Sequence, residues 1–128
     1  MAKKFSIKRD PTFKTTIPLP VVGGKSVPVE FEFRYFDRKA LSNFQGDRVK
    51  FANDFGELVG KPDTTAARIA QMAIDFEFPQ LKSIIVGWDI EEEFNDENLI
   101  ALVESGSEVT AAIVNGFFDA YTKAREGN

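Results

Sequence analysis

Hydrophobic and polar residues alternate in two runs within residues 12–36, and a pair of glycines separates the runs. A period of two places one set of side chains on one face of a strand. Gly23 and Gly24 can supply the positive φ angles of a tight turn, so the pattern predicts a β-hairpin. Proline cannot donate to a ladder and belongs at strand edges or ends. The prolines in the two runs are Pro18, Pro20 and Pro28.

After Phe36 the hydrophobic period changes to that of a helix. We expect Asp37 to cap a short helix that stops near Gly46. Asp47 is expected to cap a second helix, which ends at Gly60 because a proline follows shortly afterwards.

A third helix is predicted to follow a cap within residues 63–65 and to run to about Phe78, with Pro79 ending or restarting it. Residues 81–86 fit either a helix or a strand, and the interpretation as a helix is favoured.

Two more helices are predicted near the C-terminus. Asn95 or Asp96 caps the first, which runs to Glu104, and Ser107 caps the last. The last helix has a continuous apolar stripe, which makes it the strongest helix signal in the chain. Its members are Val109, Ala112, Ile113, Gly116, Phe117, Ala120, Tyr121 and Ala124. The predicted fold class is α+β, an N-terminal β-hairpin followed by a mostly helical bundle.

The 128 residues fit one domain, with a basic arm over residues 1–11, the hairpin over 12–36 and a helical part over 37–128. No apolar run approaches the roughly 18 residues of a membrane span, so no membrane partner is expected. The N-terminus lacks the apolar core of an export signal, which predicts a cytoplasmic protein.

Charge is distributed unevenly along the chain. Residues 1–50 carry 11 Lys and Arg against 5 Asp and Glu, whereas residues 51–128 carry 5 against 15. A net charge of −4 disfavours general binding to nucleic acid. The halves are expected to attract each other within one fold, although contact between the basic end of one chain and the acidic end of another, or an external partner, stays open.

The chain has no cysteine and no histidine, which excludes disulfides, thiolate or imidazole metal sites and histidine acid–base chemistry. The acidic stretch 89–97 fails as an EF-hand loop, because Phe94 and Ile100 occupy the positions that require glycine and glutamate. We interpret it as a solvated loop entering a helix N-terminus, and we expect neither metal nor cofactor.

Aromatic residues offer the clearest candidates for a contact surface. Trp88 and Phe94 flank the acidic stretch, where they either anchor the loop to the core or receive an apolar, basic helix. Most of the thirteen phenylalanines are expected in the core, but five of them exceed what one short helical layer needs, so some are expected to line a groove or a contact with a second copy. The phenylalanines in question are Phe44, Phe51, Phe55, Phe76 and Phe78.

Two blocks of sequence resemble the tail assembly chaperones of long-tailed bacteriophages and prophages. The first is the proline-rich hairpin with its Gly-Gly turn, followed by VPVEFEFRY at residues 27–35. The second joins VGWD at residues 86–89 to EFNDENL at 93–99, AI at 112–113 and FDAY at 118–121. Gly106-Ser107-Glu108 replaces the Tyr-Pro-Gly-like turn expected before the last helix, a departure that bears on the subfamily.

The resemblance implies a non-enzymatic chaperone that binds the tape-measure protein and keeps it soluble until tail-tube subunits replace it. From the resemblance, the tape-measure protein is the expected partner and the tail-tube protein is a possible second one. Whether the chain forms a homo-oligomer is not decided by the resemblance. The residues that we expect to bind the partner are Trp88, Asp89, Phe94, Phe117 and Tyr121. The competing hypotheses are a structural tail subunit and a small Asp/Glu-based enzyme or metal-binding module.

Overall fold

The computed structural model describes residues 4–5, 7 and 11–126, so most of the expected basic arm lies outside the described residues. The sequence of elements confirms the α+β class with an N-terminal hairpin. In chain order the elements are β1 (Thr12–Pro20), β2 (Ser26–Arg34), α1 (Arg38–Val59), α2 (Ala66–Ile84), β3 (Ile85–Trp88), α3 (Asp96–Glu104) and α4 (Ser107–Glu126).

The predicted β-hairpin is confirmed. Strands β1 and β2 pair antiparallel, from Thr12 opposite Arg34 to Pro20 opposite Ser26. Gly23 and Gly24 have φ angles of 101° and 77° in the turn, a region that side-chain-bearing residues rarely adopt.

The prolines of the hairpin lie at positions where a backbone N–H would not face the paired strand, so its absence costs no hydrogen bond between β1 and β2. Tyr35 N donates to Pro11 O at 3.0 Å, and Val21 N donates to Lys25 O at 3.1 Å. Hydrogen-bonded pairs in an antiparallel ladder recur at every second residue. Each odd-numbered residue of β1 is therefore hydrogen-bonded to its odd-numbered partner in β2. The backbone nitrogens of Pro18, Pro20 and Pro28 therefore point away from the opposite strand, as expected for edge positions.

The sheet has a third strand that the sequence analysis missed. Residues 81–86 fitted either a helix or a strand, with the helix favoured; residues 81–84 do complete α2, but β3 follows directly at Ile85. β3 pairs antiparallel with β2, placing Phe31 opposite Trp88, and the sheet order is β1-β2-β3. Four residues hold too little periodicity to predict a strand, and β3 is stabilised by pairing with the distant strand β2.

Helix α1 corrects the prediction of two short helices. It runs unbroken through Gly46, where an added Cβ would meet nothing within 4 Å, and Asp47 is an interior residue. A glycine inside a helix costs only about 1 kcal/mol, which does not end a helix that packs on a neighbour. The cap at Asp37 is confirmed, since Ala40 N donates to its Oδ1 at 2.8 Å.

Two of the remaining predicted caps agree with the structure, whereas Ser107, which was predicted to cap α4, is the first residue of that helix. Thr65 caps α2 through Arg68 N at 3.1 Å, and Asn95 caps α3 through Asn98 N at 2.8 Å. α2 does not end near Phe78, however, but continues through Pro79 to Ile84.

The core lies between one face of the sheet and the helices, with α4 packed along β1. Inward side chains such as Ile17, Phe31 and Phe33 are buried, whereas the outward residues of β1 are exposed. The predicted apolar stripe of α4 supplies the other side of this core, with Ile113 and Phe117 fully buried. The sheet therefore has one dry face and one face open to solvent.

Candidate functional site: a helical hairpin with two grooves

Three of the five predicted partner-binding residues lie together where β3 ends. Trp88 and Phe94 are half-buried, and their rings meet edge to face with centroids 5.0 Å apart. Trp88 Nε1 donates to Glu92 O at 2.8 Å, which closes the acidic loop onto itself. Both rings also pack against the core cluster, so they anchor the loop as well as presenting some surface.

Asp89 extends the sheet through its side chain. Its backbone N–H donates to Glu30 O at 3.1 Å, and its Oδ1 accepts from Glu30 N at 2.8 Å. The carboxylate thus continues the ladder between β2 and β3 beyond the last strand residue. An exposed carboxylate held in this way has one oxygen committed to the backbone.

The other two predicted residues lie in the core. Phe117 is fully buried, with rings of Phe13, Phe33 and Phe44 at centroid distances of 5.2–5.9 Å. Tyr121 is 6% exposed. Neither side chain exposes enough surface for a partner to contact in this structure. Of the predicted contact residues, Trp88, Asp89 and Phe94 at the end of β3 remain candidates.

The described acidic side chains of residues 89–97 do not form a cluster that could hold a metal ion. Lys82 Nζ bonds Asp96 Oδ2 at 3.0 Å, and both side chains are more than half exposed. In the part of the chain that the structure describes, no three Asp or Glu side chains lie close enough together to hold a metal ion. The stretch is a solvated surface of negative charge.

A second candidate surface lies on the helical hairpin, which we define as α1, α2 and the turn between them. From residue 45 to residue 79 no side chain is buried. This distal part of the hairpin nevertheless contains seven half-buried apolar residues that are not part of the core cluster. They are Phe51, Phe55, Leu58, Ile69, Met72, Ala73 and Phe76.

Stacked phenylalanines hold the two helices of the distal hairpin together. Phe51 lies flat on Phe76 with ring centroids 4.0 Å apart and an interplanar angle of 4°. Phe55 lies against Phe51 at 5.2 Å. The surplus of phenylalanine had pointed to these residues as groove-lining candidates, and the structure confirms that Phe44, Phe51, Phe55 and Phe76 line grooves.

A groove runs along each side of α1. The first, called here the α1–α2 groove, has a volume of about 540 Å³ and is lined by Asn43, Asp47 and Lys50 among others. The second, called the three-helix groove, has a volume of about 390 Å³ and lies between α1, α2 and the start of α4. Phe51 and Phe76 line both grooves, and Phe55 lines only the second.

The three-helix groove contains a polar group that lacks a hydrogen bond. Thr110 is 5% exposed, and its Oγ1 has no partner of acceptable geometry among the described residues. Burial raises the pKa of the neighbouring Glu77, while the Thr110 hydroxyl and the Arg48 guanidinium lower it by less. The hydroxyl lies beside the carboxylate, close enough to lower its pKa as a hydrogen-bond donor, and its oxygen is closed off from solvent. Nothing in the sequence around Thr110 pointed to it.

The fold thus combines a three-stranded sheet with a helical hairpin whose two grooves are lined in part by apolar side chains. The sequence matches the family model described as phage tail assembly chaperone over residues 1–128. The chain belongs to the phage tail assembly chaperone family, which is non-enzymatic. No curated protein and no solved structure matches it. Within the described residues, no helix is long and apolar enough to cross a membrane.

Proposed function

We propose that this chain binds the tape-measure protein of its phage and keeps it soluble in the host cytoplasm while the tail is assembled. The observation that carries the proposal is the distal hairpin, in which seven apolar side chains are half-buried and none is fully buried. A monomer gains little from such a surface, whereas a chaperone needs one to cover the apolar stripes of its client.

Partly exposed helical surface also suits a contact that must be released. Tail-tube subunits would displace the chaperone, so the affinity of each contact has to stay moderate, and several moderate contacts along a long client give sufficient total binding. The pair of Trp88 and Phe94, with the negative charge around it, is the second proposed contact and would favour clients that carry basic residues.

Co-expression with the tape-measure protein of the same tail gene cluster tests the proposal. The tape-measure protein is expected in the soluble fraction, co-purifying with the full chain, and in the insoluble fraction when expressed alone. A tape-measure protein that stays insoluble in the presence of the chain would refute the proposal.

A structural role in the tail is the second candidate, and the open outer edge of β1 favours it because a strand of a neighbour can pair there. Pro18 and Pro20 face this edge and shorten the stretch that can donate hydrogen bonds. Mass spectrometry of purified virions separates the candidates, since a chaperone is absent from the finished particle. Light scattering of the free chain tests whether it forms a homo-oligomer, which the sequence left open.

A further inference from the structure

We propose that the N-terminal arm of a second copy of this chain pairs as an extended strand with the outer edge of β1 and buries Phe5 and Ile7 in a groove beside that edge. None of the residues proposed to bind the tape-measure protein takes part in this contact.

The outer edge of β1 offers backbone hydrogen-bonding groups to an added strand. Within the described residues, β1 ends the sheet and no strand pairs with this edge. The odd-numbered residues of β1 are bonded to β2, so the N–H groups of Thr12, Lys14 and Thr16 point outward. The next outward positions are Pro18 and Pro20, which cannot donate. The first half of the edge therefore suits an extended backbone.

A groove of about 380 Å³ lies between β1 and α4 and is lined by residues 15–18 of the strand. We call it the β1–α4 groove. Three small, half-buried residues of α4 line it at the spacing of one helix face, namely Ala112, Gly116 and Ala120. Because these residues leave room next to the strand, side chains of an added strand can enter the groove and exclude water from it.

The groove suits a strand that has no helix of its own packed beneath it. Paired strands lie about 4.8 Å apart, whereas packed helices need about 8–10 Å between their axes. Since α4 packs along β1, pairing β1 with β1 of a second copy would bring two α4 helices too close together. The occupant is therefore an extended segment outside the core of its own chain.

The basic arm at residues 1–11 has the pattern of such a segment. Phe5 is 80% exposed and Ile7 is 89% exposed. Their spacing of two residues places both side chains on one face of an extended strand, with Lys4 and Ser6 on the other face. The apolar face would fill the groove, and burial of the two side chains would stabilise the contact.

The arm cannot pair with the edge of its own β1 through a tight turn. Thr12 is the first residue of β1 that faces the outer edge, so such a hairpin would have Pro11 in its turn. Pro11 O instead accepts from Tyr35 N at 3.0 Å and continues the ladder with β2. The fixed φ of proline also excludes the positive φ angles of a tight hairpin turn. A second copy therefore supplies the edge.

Charge favours the same contact. The arm carries four basic residues and one acidic residue, which gives +3, and the net charge of −4 leaves −7 for residues 12–128. The arm of one copy is therefore attracted to the body of another.

Engineered cysteines test the location, because the chain has none of its own. A chain with Ile7→Cys is mixed with one carrying Asn115→Cys in the β1–α4 groove, or with the control Ala111→Cys, an exposed position of α4 that lines the three-helix groove. Disulfides form only between close Cβ atoms, so after mild oxidation the mixed dimer should be at least about tenfold more abundant with Asn115→Cys. Equal yields at the two positions would overturn the proposal.

Self-association, measured by sedimentation velocity without the client, tests the arm and the edge separately. Removing residues 1–9 takes away the arm, whereas Thr16→Pro removes an outward N–H and leaves the pairing with β2 intact. Each change should weaken self-association of the full chain by about tenfold or more. An equimolar mixture of the two variants should associate again, because one supplies the edge and the other supplies the arm.

Phe5→Ser should weaken the association, and Val22→Ser is its control because Val22 is an exposed apolar residue at the hairpin turn. A full chain that stays monomeric, or a chain without its arm that associates as tightly as the full one, would overturn the proposal. Neither result bears on capture of the tape-measure protein, which is measured separately. If Thr16→Pro abolished that capture while the free chain was monomeric, the edge would belong to the client.

Discussion

At the scale of single residues, Tyr121 links the aromatic core to the backbone that leads into α1. Its hydroxyl donates to Phe36 O at 2.7 Å, and its ring stacks on Tyr35 with centroids 4.5 Å apart. Burial, with smaller effects from Tyr35, raises the pKa of Tyr121 to about 12. A residue expected at a binding surface is thus a structural connection.

Tyr121→Phe should lower the free energy of unfolding by about 1–3 kcal/mol at pH 8, because it leaves the Phe36 carbonyl without its donor. The pKa is higher in the folded state than the ordinary value of 10, so wild-type stability falls as the pH rises from 10 to about 12. The variant should lose less over that range. Urea unfolding at pH 8 and pH 11 measures both effects, and equal pH dependence would contradict this assignment.

Gly116 is needed for the close approach of α4 to β1. An added Cβ would lie 2.5 Å from Cδ1 and 2.6 Å from Cγ1 of Ile17, a β-branched residue that is 4% exposed. Gly116→Ala should therefore destabilise the fold by about 1–3 kcal/mol despite the better helix propensity of alanine.

Gly56→Ala is the matched control for that substitution. Gly56 lies inside α1 with nothing within 4 Å of an added Cβ, so alanine should stabilise the protein by about 0.5–1 kcal/mol. Thermal unfolding compares the two variants, and a stabilising effect at both positions would show that the contact with Ile17 relaxes freely.

At the scale of elements, local signals predicted most of the fold. The alternation of β1 and β2, the Gly-Gly turn and the caps at Asp37 and Asn95 all act within a few residues, and each was predicted correctly. β3 depends on pairing with β2, and the continuity of α1 through Gly46 depends on packing against α2. Neither cause lies within a short window of sequence.

Amide hydrogen exchange should be faster in the distal part of the helical hairpin than in the rest of the molecule. The distal part has no buried side chain, so its amides should exchange before those of β2 and α4, whose residues form the core. Hydrogen exchange followed by mass spectrometry of peptic fragments reports this order. Binding of the tape-measure protein should slow exchange in residues 45–79 and leave α4 beyond Phe117 nearly unchanged.

At the scale of the whole molecule, we expect stability and client contact to depend largely on different residues. The core runs from the sheet to α4 and includes only Phe44 from α1, whereas the grooves are lined mostly by half-buried and exposed residues and share Phe44 and Val114 with the core. The candidate site could be predicted only in part. Composition indicated surplus phenylalanines, but it could not show that Phe117 and Tyr121 are buried or that Thr110 lies buried beside Glu77.

Two phenylalanine substitutions should separate these properties. Phe55→Ser removes a half-buried ring of the three-helix groove and should lower stability by about 1–2 kcal/mol while reducing the amount of soluble tape-measure protein. Phe44→Ala opens the core and should cost about 3–5 kcal/mol. Denaturant unfolding and the soluble yield of client are measured side by side. Full client solubility with Phe55→Ser would argue against the hairpin as the contact.

The absence of buried side chains between residues 45 and 79 also affects how the protein can diverge. Mutations there meet little selection from folding, so under the proposed function this segment can change with its client while the sheet and the core-forming residues of α4 stay fixed. Grafting the corresponding segment of another tail chaperone onto this chain should transfer client choice in one step and preserve the host scaffold.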